Sequence, residues 1–214
     1  MSIFTRGVWL LLGLCGPAMA ATAEQPDAQK LEAALGNYLA QRGDLCLGKY
    51  DWPIKVSAAD FERGSRDAVQ LPVLEALGLV TSAEGTIVRS TEEGEETIPG
   101  RRYELTEKGL QSYRVKDFSV TTSSGAKVEH QGDLCAGKLS LRKIVSWSTP
   151  QAAGEQLETT VRYTYQFSAA DWAKAPEARK VFPVVDRMLK GEGSLQLEQR
   201  LRFDGSNWVA VQAW

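Results

Sequence analysis

Two aspartates lie in a heptapeptide that the chain contains twice, as GDLCLGK at 43–49 and as GDLCAGK at 132–138. Asp44 and Asp133 therefore occupy equivalent positions. Two carboxyl groups that share a cleft can divide the general acid and general base roles between them. An aspartate can also cap a turn by accepting hydrogen bonds from nearby backbone N–H groups. We expect turn capping here, with a carboxylate-dependent enzyme as the alternative.

Cys46 and Cys135 occupy the same place in the two heptapeptides, 89 residues apart. In an oxidising compartment they can pair in only one way once Cys15 has left with the N-terminal segment described below. Neither lies in a C-x-x-C motif, and a disulfide sulfur is no thiolate, so we predict a structural bridge. The bridge would contribute about 4 to 5 kcal/mol of stability, with Cα atoms about 4.4 to 6.8 Å apart. Two free buried thiols are the alternative.

Other residues with chemical potential are few. His130 is the only histidine, and a catalytic Cys–His pair would need a free thiolate, so we expect an exposed histidine at a strand end. The glutamates at 92, 93, 95 and 96 suit a hard cation but lack the spacing of a calcium loop, so we expect a solvated loop tip. Hydrolase, Walker and dinucleotide motifs are absent. We therefore predict no catalytic residue, metal site or cofactor.

Five tryptophans follow the N-terminal segment: Trp52, Trp147, Trp172, Trp208 and Trp214. Exposed tryptophans would form a surface for a glycan, a peptide or a lipid, whereas core packing is the alternative. The apolar patterns around Trp172 and Trp208 favour the core for those two. We therefore predict that a ligand surface, if the chain has one, consists of Trp52 and Trp147 together with Asp44 and Asp133.

The first twenty residues have the pattern of a secretory signal peptide. A single arginine precedes a short apolar segment, and AMA at 18–20 is a cleavage site of the A-x-A type. We predict a Sec-type signal at 1–20 with cleavage after Ala20, and a periplasmic or secreted protein with no integral membrane segment after cleavage. A short membrane anchor is one alternative, and lipidation at Cys15 is another, although Leu14 stands where a lipidation motif has a small residue.

The composition is that of an ordinary globular protein, with 43% hydrophobic and 24% charged residues. It excludes a disordered chain, a collagen and a transmembrane bundle. The formal net charge is −2, so electrostatic attraction gives no reason to expect nucleic acid or an anionic membrane as a partner.

The repeat predicts an α+β protein of two related modules, 21–120 and 121–214, joined by the disulfide. Each module has a helix followed by a β-hairpin, and the second has the larger antiparallel sheet. Besides the heptapeptide, SAADF at 57–61 matches SAADW at 168–172 in the same order. Such internal similarity is typical of duplicated modules, and chance similarity is the alternative.

Helical spacing of apolar residues predicts helices at 28–41, 66–77 and 177–189, with Asp60 as the N-cap of a short helical turn. Pro72 lies inside the second of these helices and predicts a kink or a later start.

The strands are predicted from period-two patterns and from turn residues. Residues 159–167 alternate apolar and polar side chains, which is typical of a half-buried antiparallel strand. Residues 150–155 are predicted as a turn, and 204–207 as the turn that joins the last two strands.

Part of the first module resembles a known family. VLEALGLV at 73–80 and RRYELTEKG at 101–109 resemble the helix and wing of winged-helix regulators of the PadR and MarR type, a resemblance that covers 66–113. It implies a helix in the major groove of DNA and basic wing residues on phosphates. Residues 57–113 carry six basic and eleven acidic side chains, which would repel phosphates. The resemblance therefore implies a fold and not the family's function.

These patterns predict an exported, non-catalytic binding or envelope-accessory protein whose partner is an unknown envelope protein or a small ligand. A carboxylate-dependent envelope enzyme and a winged-helix DNA-binding protein are the two alternatives.

Overall fold

A computed structural model describes residues 26–91 and 94–211. The predicted signal segment at 1–20 and Trp214 lie outside these ranges. With 30% helix and 47% strand in two sheets, the fold is α+β as predicted. In chain order the elements are α1 (Ala28–Arg42), β1 (Asp44–Cys46), β2 (Ile54–Ser57), α2 (Ala58–Arg63), α3 (Arg66–Ala76), β3 (Val80–Thr91), β4 (Gly94–Leu105), α4 (Glu107–Leu110), β5 (Tyr113–Thr121), β6 (Lys127–Trp147), β7 (Gln151–Ala153), β8 (Gln156–Ala169), a 3-10 turn (Asp171–Lys174), α5 (Pro176–Val181), α6 (Pro183–Gly191), β9 (Leu197–Phe203) and β10 (Trp208–Ala210).

The larger sheet has seven strands and is built on β6. Its strand order is β1-β6-β8-β9-β10, with β5 also paired to β6 and β7 paired to β8, and every pairing is antiparallel. The first part of β6 pairs with β5 and the second part with β8. This strand of 21 residues therefore connects elements from both halves of the chain.

Helix α1 covers one face of the larger sheet and packs against β6, β9 and β10. Asp27 caps its N-terminus by accepting a hydrogen bond from the Lys30 N–H at 2.7 Å. The alternation predicted for 159–167 is confirmed, because the apolar series of β8 is buried: Val161, Tyr163, Tyr165 and Phe167. α1 and β1 thus belong to the sheet formed by the C-terminal half, and residue 120, the end of the first predicted module, lies within β5.

The smaller sheet has the order β2-β4-β3 and carries the long β3–β4 hairpin. α3 packs beside it with Leu71 and Leu74 buried. The same helix contacts α5, where the Gln70 side chain donates a hydrogen bond to the Val181 carbonyl oxygen at 2.9 Å. A single cluster of buried side chains extends through both sheets, so the two halves share a hydrophobic core.

Several element boundaries differ from the sequence prediction. Ser57, not Asp60, is the N-cap of α2; Asp60 lies three residues later and completes a capping box. The helix predicted at 177–189 is two helices, because Pro183 has no N–H and restricts the residue before it.

α3 begins at Arg66 in spite of Pro72, because the Ser65 side chain accepts a hydrogen bond from the Ala68 N–H and caps the first turn. Val69, an apolar residue of the same helix, is 46% exposed. The predicted turn at 150–155 contains strand β7, which pairs with β8. The turn at 204–207 is confirmed, with Asp204 accepting hydrogen bonds from the N–H groups of Ser206 and Asn207.

Candidate functional site

The two heptapeptides lie side by side as strands, not as turns. β1 pairs with β6 so that Cys46 is opposite Cys135. The predicted disulfide joins them, with Cα atoms 3.8 Å apart. The predicted range of about 4.4 to 6.8 Å is therefore wrong for this bridge, whose cysteines are directly opposed next to a register shift between Leu45 and Cys46.

Gly43, the first residue of the first heptapeptide, connects the end of α1 to β1. Its N–H closes the last turn of α1 on the Leu39 carbonyl oxygen, and its own carbonyl oxygen accepts from the Leu139 N–H at 2.7 Å. A Cβ atom at this position would lie 2.4 Å from the Leu139 carbonyl oxygen. Only glycine therefore lets the chain turn from α1 onto the edge of β6, which places Asp44 immediately after the helix.

Asp133 holds the segment that follows β1. Its two carboxylate oxygens accept hydrogen bonds from the N–H groups of Gly48 at 3.0 Å and Lys49 at 2.7 Å. Gly48 makes this possible with a φ of +69°, a conformation that glycine adopts without strain. Burial raises the pKa of Asp133, and the backbone hydrogen bonds partly oppose that rise. Asp133 therefore accepts backbone hydrogen bonds, but from a segment 84 and 85 residues away in sequence. The predicted capping of a local turn is wrong, because both heptapeptides are strands.

Lys49 ties the same segment to α3. Its side chain is 1% exposed, and its Nζ donates a hydrogen bond to Asp67 Oδ1 at 2.5 Å. Burial lowers the pKa of Lys49, and the contact with Asp67 acts in the opposite direction. The segment 47–49 is therefore held at the backbone by Asp133 and at a side chain by Asp67.

Asp44 has a different environment from its equivalent. The Asp44 carboxylate forms no hydrogen bond or ion pair with any residue in 26–91 or 94–211. Together with Cys46 and Asp133 it lines an open cavity of about 230 Å³, which we call the disulfide cavity. The structure thus brings the two predicted aspartates to one cavity, with only Asp133 engaged by the backbone.

Three cations complete the rim of the disulfide cavity: Arg42, Arg114 and Lys116. Lys116 Nζ donates to the Gln41 carbonyl oxygen at 2.7 Å, and Arg114 Nη1 donates to a nearby carbonyl oxygen at 3.2 Å. The side chain of Arg42, the last residue of α1, has no hydrogen bond or ion pair within the described chain. Phe118 supplies an apolar wall.

An aromatic cluster lies behind Phe118. The Tyr50 ring stacks on His130 with centroids 3.9 Å apart, and the Phe118 centroid lies 5.5 Å from that of His130. His130 Nδ1 is 3.0 Å from Asp51 Oδ1. The prediction of an exposed histidine is wrong: His130 is 5% exposed, because the loop after β1 brings Tyr50 and Asp51 against it.

The tryptophans do not join the two aspartates. Trp52 is half-buried and donates a hydrogen bond from Nε1 to the Lys49 carbonyl oxygen at 3.0 Å. Trp147 is 41% exposed at the far end of β6, opposite Val161. Neither lines the disulfide cavity. Trp172 and Trp208 are buried in the core, as expected.

Sequence reasoning missed the cations and Phe118. The signal was present, because 114, 116 and 118 follow the period of two that puts side chains on one face of a strand. Arg42 lies two residues before Asp44, at the end of a helix that was predicted. No pattern, however, indicates that β5 lies next to the end of α1.

Two further observations concern other kinds of site. Among the described residues, no three His, Cys, Asp or Glu side chains are grouped as metal ligands would be. No helix within the same residues is long and apolar enough to cross a membrane. Comparison with known proteins finds no matching family model, no matching curated protein and no matching solved structure.

Proposed function

We propose that this chain is an exported binding protein without catalytic activity, and that the disulfide cavity is its ligand site. The observation that carries the proposal is that the unpaired side chains of Asp44 and Arg42 line one cavity together with the disulfide-bonded Cys46. Free charged groups on a fixed backbone are the kind of polar anchor that ligand sites use to orient small molecules.

The rigidity of the surroundings supports binding. Asp44 follows the glycine that closes α1, and Cys46, two residues later, is covalently bonded to Cys135 of β6. On the opposite side, β5 pairs with β6 before and after a register shift between Val115 and Phe118. Because the backbone is held in this way, the conformational entropy lost on binding is largely that of the side chains, which favours affinity.

The candidate catalytic groups are occupied by structural contacts. Asp133 is bonded through both oxygens to backbone N–H groups, and the two cysteines form a disulfide without a thiolate. His130 is enclosed between Tyr50 and Phe118. These contacts favour a binding role over the carboxylate-dependent enzyme.

Export is supported by two independent features. The disulfide between Cys46 and Cys135 is of the kind that persists in oxidising compartments. The sequence pattern at 1–20 is that of a signal peptide. Fractionation of cells that express the full chain should find the processed protein, beginning at Ala21, outside the cytoplasm.

DNA binding is disfavoured by the ion pairs on the β3–β4 hairpin, the element that corresponds to the wing. Arg101 lies 2.8 Å from Glu84, and Arg102 lies 2.7 Å from Glu104. Both arginines of β4 are thus already paired with carboxylates. Fluorescence anisotropy with duplex DNA at low salt is expected to show no binding, and salt-dependent binding would favour the winged-helix alternative.

The ligand site is tested by titrating isotope-labelled protein with the small-molecule fraction of a periplasmic extract. Nuclear magnetic resonance should show shifts at the backbone amides of 42–46 and 114–118. The double variant Arg42→Gln with Asp44→Asn should lose these shifts while keeping its melting temperature. Shifts confined to other regions, or a chemical change in the added molecules, would contradict the proposal.

A further inference from the structure

We propose that the disulfide cavity takes a small organic anion, with a carboxylate or phosphate group attached to a flat apolar portion. The inference rests on the proposed binding role of this cavity and adds the chemical class of the ligand. It follows from the balance of charges that remain available there.

The cations of the rim are held in place without being neutralised. Lys116 and Arg114 donate to the carbonyl oxygens of Gln41 and Gln111. A carbonyl oxygen fixes the position of an ammonium or guanidinium group but removes no charge. Arg42 is unpaired among the described residues. All three charges are therefore available to a ligand, and a guanidinium group has the fork of donors that matches a carboxylate or a phosphate.

The acids of the cavity do not cancel these charges. Both carboxylate oxygens of Asp133 accept hydrogen bonds from the backbone N–H groups of 48 and 49, so they are engaged before a ligand arrives. Asp44 is the remaining acid. Three cations against the two carboxylates of Asp44 and Asp133 still leave an excess of positive charge, which attracts an anion into the cavity. Asp44 can in addition accept a hydrogen bond from a hydroxyl or ammonium group of the same ligand.

The walls and the volume limit the rest of the ligand. Phe118 and the disulfide at Cys46 present apolar surface, and the rings of Tyr50 and His130 hold Phe118 from behind. An aromatic wall favours a flat apolar group. The cavity of about 230 Å³ is smaller than the 300 Å³ or so at which drug-sized pockets begin. A single ring with one anionic group fits this limit.

The chain contains a matched pair of lysines for the test. Lys116 and Lys138 donate to consecutive carbonyl oxygens at the end of α1, those of Gln41 at 2.7 Å and Ala40 at 2.6 Å. Only Lys116 lines the disulfide cavity. Lys116→Gln and Lys138→Gln therefore remove the same contact with the helix end, and only the first removes a charge from the cavity.

The probes are phenyl phosphate, benzoate, benzylammonium and benzyl alcohol, added to the full mature chain at low salt. Phenyl phosphate, benzoate or both should shift the amides of 42–46 and 114–118, and the affinity should fall as salt is added. The anion that binds more tightly indicates whether the anionic group of the ligand is a phosphate or a carboxylate. Lys116→Gln should weaken binding about tenfold, while Lys138→Gln should leave it unchanged at an equal melting temperature.

Two outcomes would overturn the inference. If benzylammonium binds in the cavity and neither anion does, the ligand is a cation held by Asp44, and the proposed binding role survives. If none of the four probes binds although the extract still shifts the same amides, the anion class is wrong and the site is right. Loss of the extract shifts as well would contradict the proposed function itself.

Discussion

The heptapeptides at 43–49 and 132–138 are identical at six of seven positions, yet their equivalent side chains differ in contacts and in burial. Asp133 caps the backbone of 48 and 49, whereas Asp44 is unpaired at the disulfide cavity. Lys49 is buried against Asp67, whereas Lys138 is exposed.

The chain that follows each heptapeptide explains the difference. After the first, it crosses back over the second and brings the N–H groups of 48 and 49 to Asp133. After the second, it continues along β6 and does not turn back, so no N–H group returns to Asp44. A repeated sequence thus acquires a structural role in one copy and leaves a free carboxyl group in the other.

The largest expected effect comes from the bond that both heptapeptides share. Cys46→Ser should lower the free energy of unfolding by about 2 to 5 kcal/mol, because the unfolded chain gains the entropy of an open loop. The double variant Cys46→Ser with Cys135→Ser should melt at the same temperature as the single variant. Thiol labelling of the unfolded, unreduced wild type should find no reactive thiol after export, and finding two would show that the bridge is absent.

The equivalent aspartates should differ in their effect on stability. Asp133→Ala leaves the buried N–H groups of Gly48 and Lys49 without an acceptor and should cost about 1 to 3 kcal/mol. Asp44→Ala removes no contact and should change stability by less than about 0.5 kcal/mol. Urea unfolding of the two variants measures the difference, and equal losses would mean that the contrast between the heptapeptides is wrong.

The equivalent lysines should differ in the same direction. Lys49→Gln breaks the ion pair with Asp67, and we expect a cost of about 1 to 2 kcal/mol. This is less than for a fully buried pair, because Asp67 is 43% exposed and remains solvated. Lys138→Gln should cost less than about 0.5 kcal/mol. Thermal melting compares them, and a larger effect at Lys138 is the outcome that would not fit.

The smallest effect concerns pH. Burial raises the pKa of Asp133 above its ordinary value of 3.8. The folded chain then holds this proton more tightly than the unfolded chain, so the contribution to stability is complete below the unfolded pKa and declines as pH rises through the folded pKa. Wild type should therefore exceed Asp133→Ala in stability by more at about pH 3 than at about pH 7. A constant or reversed difference would contradict the shift.

Local patterns predicted much of the fold. The apolar spacing of α1 and the alternation at 161, 163, 165 and 167 set those elements because one face of each is buried. The number of cysteines predicted the disulfide, because only two cysteines follow residue 20 and they can pair in one way. These features depend on residues that are close in sequence or on a count that allows one solution.

The cavity was not predictable in the same way. Part of its wall is formed by the end of α1 and the three-residue strand β1, and another part by a face of β5. About 70 residues of the chain separate these two parts. β1 is too short to show periodicity and was interpreted as a turn. Sequence placed Asp44 and Asp133 together through the repeat, but the cations beside them follow from the tertiary fold alone.

The central claim, that the free charges beside the disulfide form a ligand site, is tested most directly at Arg42. Phenyl phosphate binding is measured by calorimetry for wild type, for Arg42→Gln and for Arg63→Gln, an exposed arginine of α2 outside the cavity. We predict about tenfold weaker binding for Arg42→Gln at an unchanged melting temperature, and no loss for Arg63→Gln. Equal affinity in all three proteins would contradict the account, as would a wild type that binds neither phenyl phosphate nor benzoate nor any component of the extract.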